Sequence, residues 1–351
     1  MDFSSRAMSS PLAISIKYKR AVAYFAAAFA ALPFTTLLAG NVAAAESAQI
    51  TATPTTAVPD ATRKIHYRSI DIDGINIFYR EAGDPKNPSL LLLHGFSSSS
   101  HMFRDLIPLL ADRFHLIAPD FPGFGYSDAP PVNLFEPTFA HLEIVMEKFV
   151  TAVELKSFSV YMQDFGGPVG FRMAVKHPEW ISGLIIQNAN AYREGIAPEQ
   201  LQGMDRLIES RAADKNTQRQ KTSARVVTPE FITYLYRNGA RDVSGLNPDA
   251  WTVDIAALQN PEAKRIQADL IDNYYTNLQQ YPEWQAYLRK RQPKTLIVWG
   301  KNDRGFLPLA AESYRRDLPK LELKYFDTGH FALEENSTEI AQAIAQFFRA
   351  E

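Results

Sequence analysis

The residues best placed to do chemistry are an aspartate, a histidine and a second aspartate, each just beyond an apolar stretch that reads as a strand. Ser157 to Gln163 runs into Asp164-Phe165-Gly166-Gly167-Pro168, and Val169 to Lys176 then has helical composition. Strand, sharp turn and helix in immediate succession push the side chain at the apex into the open. Gly166 and Gly167 carry no Cβ, so strand and helix can pack closely around that apex. Met162 departs from the usual pattern, because the position two before the apex is normally small. Thr295 to Trp299 ends in Gly300-Lys301-Asn302-Asp303, and Leu321 to Phe326 ends in Asp327-Thr328-Gly329-His330. Nucleophile, acid and histidine follow in a chain order in which Asp303 would orient His330 and balance its charge. A lone aspartate at a helix start usually serves as an N-cap; the apex position and the distant His330 favour a chemical role for Asp164.

An aspartate there sets the reaction type. A carboxylate is a poor acyl nucleophile, but it displaces a leaving group from sp3 carbon and forms an alkyl-enzyme ester. His330 would activate the water that cleaves this ester, so it acts in the second step. Ester and amide hydrolysis are disfavoured on the same ground. Leu90 to Leu93 leads into His94-Gly95-Phe96-Ser97. Backbone N–H groups of this loop, at Phe96 above all, could bind the oxyanion of the tetrahedral adduct together with the N–H of Phe165. His94 and Gly95 would shape that loop. Asn188 and Asn190, after the strand Leu184-Ile185-Ile186, are possible alternatives to Asp303 by position, yet an amide cannot balance an imidazolium by charge. The other five histidines read as surface or packed residues. No H-E-x-x-H or paired spacing suggests a metal, and no cofactor is expected.

The elements that must position these groups alternate. His66 to Ile72 and Ile75 to Arg80 flank Asp73-Gly74, a strong hairpin signal. Leu90 to Leu93, Leu116 to Ala118, Ser159 to Met162, Leu184 to Ile186 and Leu296 to Val298 are continuous apolar runs, as buried parallel strands require. Leu142, Val145, Met146, Phe149, Val150 and Val153 form a stripe at helical spacing, and Ile340, Ile344, Phe347 and Phe348 form another. The pattern predicts an α/β fold with a mostly parallel sheet between helices and reactive loops at the carboxyl ends of the strands. Core is expected over 64–190 and 293–351. The segment 191–292, rich in Tyr, Arg, Gln and Trp and without a convincing buried strand, reads as a helical cap over one end of the sheet.

The 351 residues carry 37 basic and 39 acidic side chains and no cysteine. This balance gives no reason to expect nucleic acid or an anionic membrane as partner, and the lack of thiols excludes disulfides and thiolate chemistry. The partner expected is a small-molecule substrate; the sequence does not define an oligomer. Lys17, Lys19 and Arg20 precede an apolar run from Ala21 to Leu38 that ends in small residues up to Ala45. This has the form of a signal peptide over 1–45, cut after Ala45, with 46–63 as a flexible leader and export to the periplasm or medium. After the cut no stable membrane partner would remain.

HGFSSSSHMF, APDFPGFGYSD, QDFGGPVG, WGKND and DTGHF resemble the aspartate-nucleophile branch of the α/β-hydrolases, which holds epoxide hydrolases and haloalkane dehalogenases; the likeness spans roughly residues 66 to 350. It implies an α/β-hydrolase fold with catalytic Asp164, His330 and Asp303. Resembling dehalogenases carry a Trp after the nucleophile and often an Asn after the His-Gly pair; here those positions are Phe165 and Phe96, leaving Trp251 and Trp284 as possible halide donors. Epoxide opening instead needs an acid, usually a cap tyrosine. Asn273-Tyr274-Tyr275-Thr276-Asn277 is similar to the epoxide hydrolase segment that carries one, and Tyr275 is the expected acid; Tyr234, Tyr236 and Tyr192 are candidates for a second. The reading is an epoxide hydrolase, with a haloalkane dehalogenase as the alternative and a non-catalytic ligand-binding protein as the rival from another class.

Overall fold

A computed structural model describes residues 63–210 and 215–348. The expected signal peptide, its cleavage after Ala45 and the leader, Arg63 apart, lie outside the described residues.

Eight strands form one sheet in the order β1-β2-β4-β3-β5-β6-β7-β8. They are β1 (His66–Ile72), β2 (Ile75–Ala82), β3 (Ser89–Leu93), β4 (His115–Pro119), β5 (Phe158–Gln163), β6 (Ile181–Gln187), β7 (Thr295–Gly300) and β8 (Glu322–Phe326). β1 and β2 form the antiparallel hairpin at Asp73-Gly74, where both residues take the positive φ that this tight turn demands, +54° and +82°. β2 is also antiparallel to β4, and the remaining pairs are parallel.

The continuous apolar runs are explained by what lies on each face. Alternate residues of a strand point to opposite sides. Leu91, Leu93, Val160, Met162, Ile186 and Trp299 face one core with the helices α2 (Phe139–Ala152) and α3 (Gly166–Lys176). Leu90, Leu92, Tyr161, Ile185, Leu296 and Val298 face the other, with α1 (Leu106–Leu110) and α11 (Leu333–Phe347). Each fully buried leucine contributes about 1.5–3 kcal/mol of transfer free energy, so both faces must be covered for the sheet to form. The predicted stripes do the covering: Leu142, Val145, Met146 and Phe149 on α2, and Ile340 and Ile344 on α11.

Between β6 and β7 lie α4 (Pro198–Ser210), α5 (Lys215–Arg225), α6 (Pro229–Arg237), α7 (Asp249–Ala257), α8 (Pro261–Asn273) and α9 (Tyr275–Arg291). The described part of this segment contains no strand. Its helix boundaries follow local rules. Thr228 and Asn260 cap α6 and α8 ahead of Pro229 and Pro261, whose fixed φ suits a first helical position. α9 ends with Arg289, Lys290 and Arg291 against its negative pole and with Gln292 in the left-handed conformation. The helix α10 (Pro308–Ser313) follows β7. Parallel pairing sets Leu93 beside Met162, Gln163 beside Gln187 and Gly300 beside Phe326. The loops after β3, β5, β6, β7 and β8 therefore emerge along one edge of the sheet, beneath the helical segment.

Candidate active site

Asp164 stands at the turn between β5 and α3 with φ +48°, a left-handed conformation that a non-glycine residue adopts only under constraint. The constraint is packing. A Cβ at Gly166 would sit 2.3 Å from the Leu93 carbonyl oxygen, and one at Gly167 2.8 Å from the Ala189 Cβ. Met162, the departure from the small-residue pattern, is accommodated one turn into the helix, where a Cβ at Gly170 would lie 2.3 Å from its sulfur. A glycine inside α3 thus makes the room that a small residue on β5 would otherwise make.

The chain brings Asp164, His330 and Asp303 together. The His330 Nδ1 lies 2.6 Å from Asp303 Oδ2, and its Nε2 lies 3.7 Å from Asp164 Oδ2. The first is a short charge-assisted hydrogen bond; the second is too long for a hydrogen bond. Asp303 Oδ1 accepts from the backbone N–H groups of Gly305 and Phe306 at 2.8 and 3.0 Å. Burial works against the Asp303 charge, but His330 and these donors outweigh it and hold the carboxyl below its ordinary 3.8. Burial likewise works against a charged His330, yet Asp303 and Asp164 leave its pKa raised above the ordinary 6.5. At Asp164 burial dominates and raises the pKa, opposed by His330 and by backbone N–H donation. The carboxylate is therefore poorly hydrated.

The Phe96 N–H donates to Asp164 Oδ1 at 2.7 Å, and the nearby Phe165 N–H also favours the ionised carboxyl. Two backbone donors on one carboxyl are placed to hold negative charge that develops on it. Gly95 permits the approach, since a Cβ there would lie 2.4 Å from the Asp164 Cβ. His94 is tied on both nitrogens: Nδ1 donates to the Gly95 carbonyl, and Nε2 accepts the Phe121 N–H, each at 3.0 Å. Burial brings its pKa down to about 4, so it shapes the loop as a neutral ring.

These groups open on a cavity of about 920 Å³. Phe96, Phe165, Ile271, Tyr274 and Phe306 surround Asp164 and His330 with apolar wall. On the cap side α5 contributes Gln218, Lys221, Thr222 and Arg225, the i, i+3, i+4, i+7 face of one helix. Tyr275, the expected acid, is not among the residues that line the cavity; Tyr274 is. One residue turns a helical side chain by about 100°, and the α8–α9 junction presents Tyr274 inwards. The Tyr274 ring centroid lies 6.0 Å from that of Phe165, and its buried hydroxyl has the Tyr281 hydroxyl as its polar neighbour. Burial pushes this phenol well above its ordinary pKa, so it stays protonated.

Of the candidates for a second acid, only Tyr234 lines the cavity. The Tyr236 hydroxyl donates to Asp254 Oδ2 at 2.6 Å and accepts from Ser98 Oγ at 3.2 Å, tying α6 and α7 to the loop after β3. Tyr192 donates to Asp317 Oδ2 at 2.6 Å. Neither Trp251 nor Trp284 lines the cavity; Trp284 stacks on Phe171 at 5.2 Å.

Two site residues escaped the sequence reading. Asn188, considered only as a substitute acid, bonds the expected one: its Nδ2 donates to Asp303 Oδ2 at 2.8 Å, and its Oδ1 accepts the Gly300 N–H at 2.9 Å. Gln163, the last residue of β5, places its Nε2 2.8 Å from His330 Nε2. Its position beside Asp164 was the available signal. Asn190 bonds only the Gly195 carbonyl, at 3.5 Å, away from the histidine. Among the described residues no group of three or more His, Cys, Asp or Glu could hold a metal ion.

Fold and geometry together define a hydrolase, and the chain belongs to the α/β-hydrolase family: residues 88–337 match the family described as alpha/beta hydrolase fold. It is 39% identical over 285 residues to an uncharacterised hydrolase of Saccharomyces cerevisiae, covering 79% of this chain and 94% of that one. A haloalkane dehalogenase of Bradyrhizobium diazoefficiens is 33% identical over 135 residues, 38% of this chain and 41% of the relative. Among solved structures, the haloalkane dehalogenase DbeA of Bradyrhizobium elkani matches with TM-score 0.68 at 18% identity, covering 81% of this chain and 97% of that one. The epoxide hydrolase CorEH matches with TM-score 0.65 at 20% identity, covering 81% and 99%. At these identities the structural likeness carries the fold.

Proposed function

We propose that this α/β-hydrolase opens epoxides through a covalent ester on Asp164. Oδ2, the carboxylate oxygen not held by the Phe96 N–H, attacks an epoxide carbon, and the Tyr274 hydroxyl protonates the departing ring oxygen. Water then gives a proton to His330 Nε2 while its oxygen bonds to the Asp164 Cγ. The charge that develops on Oδ1 is held by the N–H groups of Phe96 and Phe165. Collapse breaks the Cγ–Oδ2 bond, the imidazolium gives its proton to the product oxygen, and the proton left on the Asp164 carboxyl returns to the Tyr274 phenolate. The 3.7 Å separation between His330 and Asp164 fits a base reserved for the second step.

The observation that carries the epoxide reading is Tyr274, a protonated phenol that lines the same cavity as Asp164. An alkoxide is too basic to leave unassisted, whereas a halide needs donors and no acid. The second reading, a haloalkane dehalogenase on the same three residues, is favoured by the haloalkane dehalogenase relative matched over 135 residues. Against it, no tryptophan lines the cavity among the described residues. Tyr274→Phe is expected to lower kcat/KM for styrene oxide about 100-fold, within the range for loss of a general acid. The rate of alkylation by 1-bromohexane should stay within about threefold if no proton is needed. An equal loss with both compounds would contradict the acid role.

The pH dependence follows from the charges. Ester hydrolysis needs neutral His330, so it is lost as pH falls through the His330 pKa. In the free protein that pKa lies above 6.5, raised in part by the Asp164 carboxylate. Esterification removes this charge. The acid limb of single-turnover ester hydrolysis is therefore expected at lower pH than the His330 titration followed by NMR in the free protein. A limb at the same or higher pH would contradict the assignment. His94, with its pKa near 4, does not enter this window.

A further inference from the structure

The hydrogen-bond partner of His330 Nε2 is not on Asp164. It is the Gln163 amide nitrogen, 2.8 Å away, whereas Asp164 Oδ2 is at 3.7 Å. Gln163 is fully buried, and its Oε1 has no hydrogen-bond partner. That oxygen lies against Gly95: a Cβ there would be 2.1 Å from it and 2.9 Å from Asp164 Oδ1. One end of the carboxamide thus touches the base, and the other points towards the carboxyl that carries the oxyanion.

Hydrogen-bond inventory fixes what this arrangement means. His330 Nδ1 faces Asp303 at 2.6 Å and carries the proton there, so in the neutral ring Nε2 is a lone pair that accepts the Gln163 N–H. Nε2 has one lone pair, so the Gln163 N–H must leave it as water delivers a proton there; once protonated, Nε2 is a donor and would face a donor. Rotation of the amide by 180° about its terminal bond removes that conflict. Oε1 then accepts from the imidazolium, and the NH2 group moves to where Oε1 had no partner, on the side of Asp164 Oδ1. A buried donor facing a donor is unfavourable, as is a buried acceptor without a partner. Each orientation is therefore favoured by one protonation state of His330.

We propose that Gln163 is a positioning residue whose carboxamide reverses with the protonation of His330. It donates to the neutral ring before ester hydrolysis and accepts from the imidazolium formed during it. The step it serves is balanced within the protein and water: an O–H proton moves to Nε2, the oxygen bonds to Cγ, and the proton later leaves with the product oxygen. The inference rests on the ester mechanism proposed above and assigns to hydrolysis, not to alkylation, the step that depends on Gln163.

The test uses Gln163→Leu and the near-isosteric Gln163→Glu in the full chain, with styrene oxide as probe and rapid-quench intact mass as readout. In Gln163→Leu, ester formation should stay within about threefold of the parent while ester breakdown slows by about tenfold or more, so ester accumulates. In Gln163→Glu, a carboxylate beside Nε2 should move the acid limb of ester breakdown up by about one pH unit or more. Equal slowing of both steps in Gln163→Leu, breakdown at the parental rate, or an unmoved limb in Gln163→Glu would overturn the proposal. His330→Gln separates this from the mechanism itself: ester trapped there, with no selective effect at Gln163, rejects the role of Gln163 alone. No ester in His330→Gln rejects the mechanism, and this proposal with it.

Discussion

Replacing His330 by glutamine is expected to turn the protein from a catalyst into a reagent that reacts once. In the proposed mechanism alkylation needs the Asp164 carboxylate and an acid on the leaving oxygen, neither of which is His330. The imidazole is needed only to take the proton of the attacking water. Steady-state turnover of styrene oxide should therefore fall by about 10⁴-fold or more, as when a general base is removed from a set that acts as a unit. Ester formation should stay within about tenfold, because the Phe96 and Phe165 donors and the cavity walls are untouched. Intact mass after mixing should rise by one equivalent of epoxide, on the peptide bearing Asp164. Ester formation and turnover lost together would place His330 in the first step and contradict the assignment.

Asp164→Asn is expected to abolish turnover, again by about 10⁴-fold or more, and to give no covalent adduct, since a neutral amide oxygen is a far weaker nucleophile than a carboxylate. Stability should move the other way. Burial raises the Asp164 pKa above 3.8, so the folded state binds this proton more tightly than the unfolded chain. Stability is then lost as pH rises through the folded pKa, and at neutral pH the ionised carboxylate is a burden on the fold. Asparagine removes that burden and should raise the melting temperature at pH 7, a loss of function coupled to a gain in stability. A variant with parental turnover would identify a different nucleophile. If no electrophile were consumed by the parent either, the scaffold would be a ligand-binding one.

The parts of this architecture that local rules control were legible in the sequence. Asp73-Gly74 marks a hairpin because only residues tolerant of positive φ fit its turn, and Leu90 to Leu93 marks a two-sided strand because nothing in it could face water. The order Asp164, Asp303, His330 was legible because each residue lies just beyond the end of a strand. What was not legible depends on rotation and distance. Tyr274 and Tyr275 are adjacent in a helical segment, and only the α8–α9 junction determines which faces inwards. Asn188 looked like a failed acid because its charge was considered and its donors to Asp303 were not visible. Gln163 resembled one more strand residue, since its partner His330 lies 167 positions away. Met162 weakened the turn motif on paper because Gly170, which makes room for it, lies outside the motif.

The route of oxygen tests the central claim most directly. A single turnover of styrene oxide, with protein in excess in water enriched in oxygen-18, should release a first-turnover diol without the label, its new oxygen coming from Asp164. The peptide bearing Asp164 should gain 2 Da, a shift set by the isotope and read by mass spectrometry, since water attacks Cγ and stays on the carboxyl. Labelled diol in the first turnover with an unlabelled peptide would mean that water attacks the epoxide directly, and that Asp164 is a base or a charge in the site and not the nucleophile.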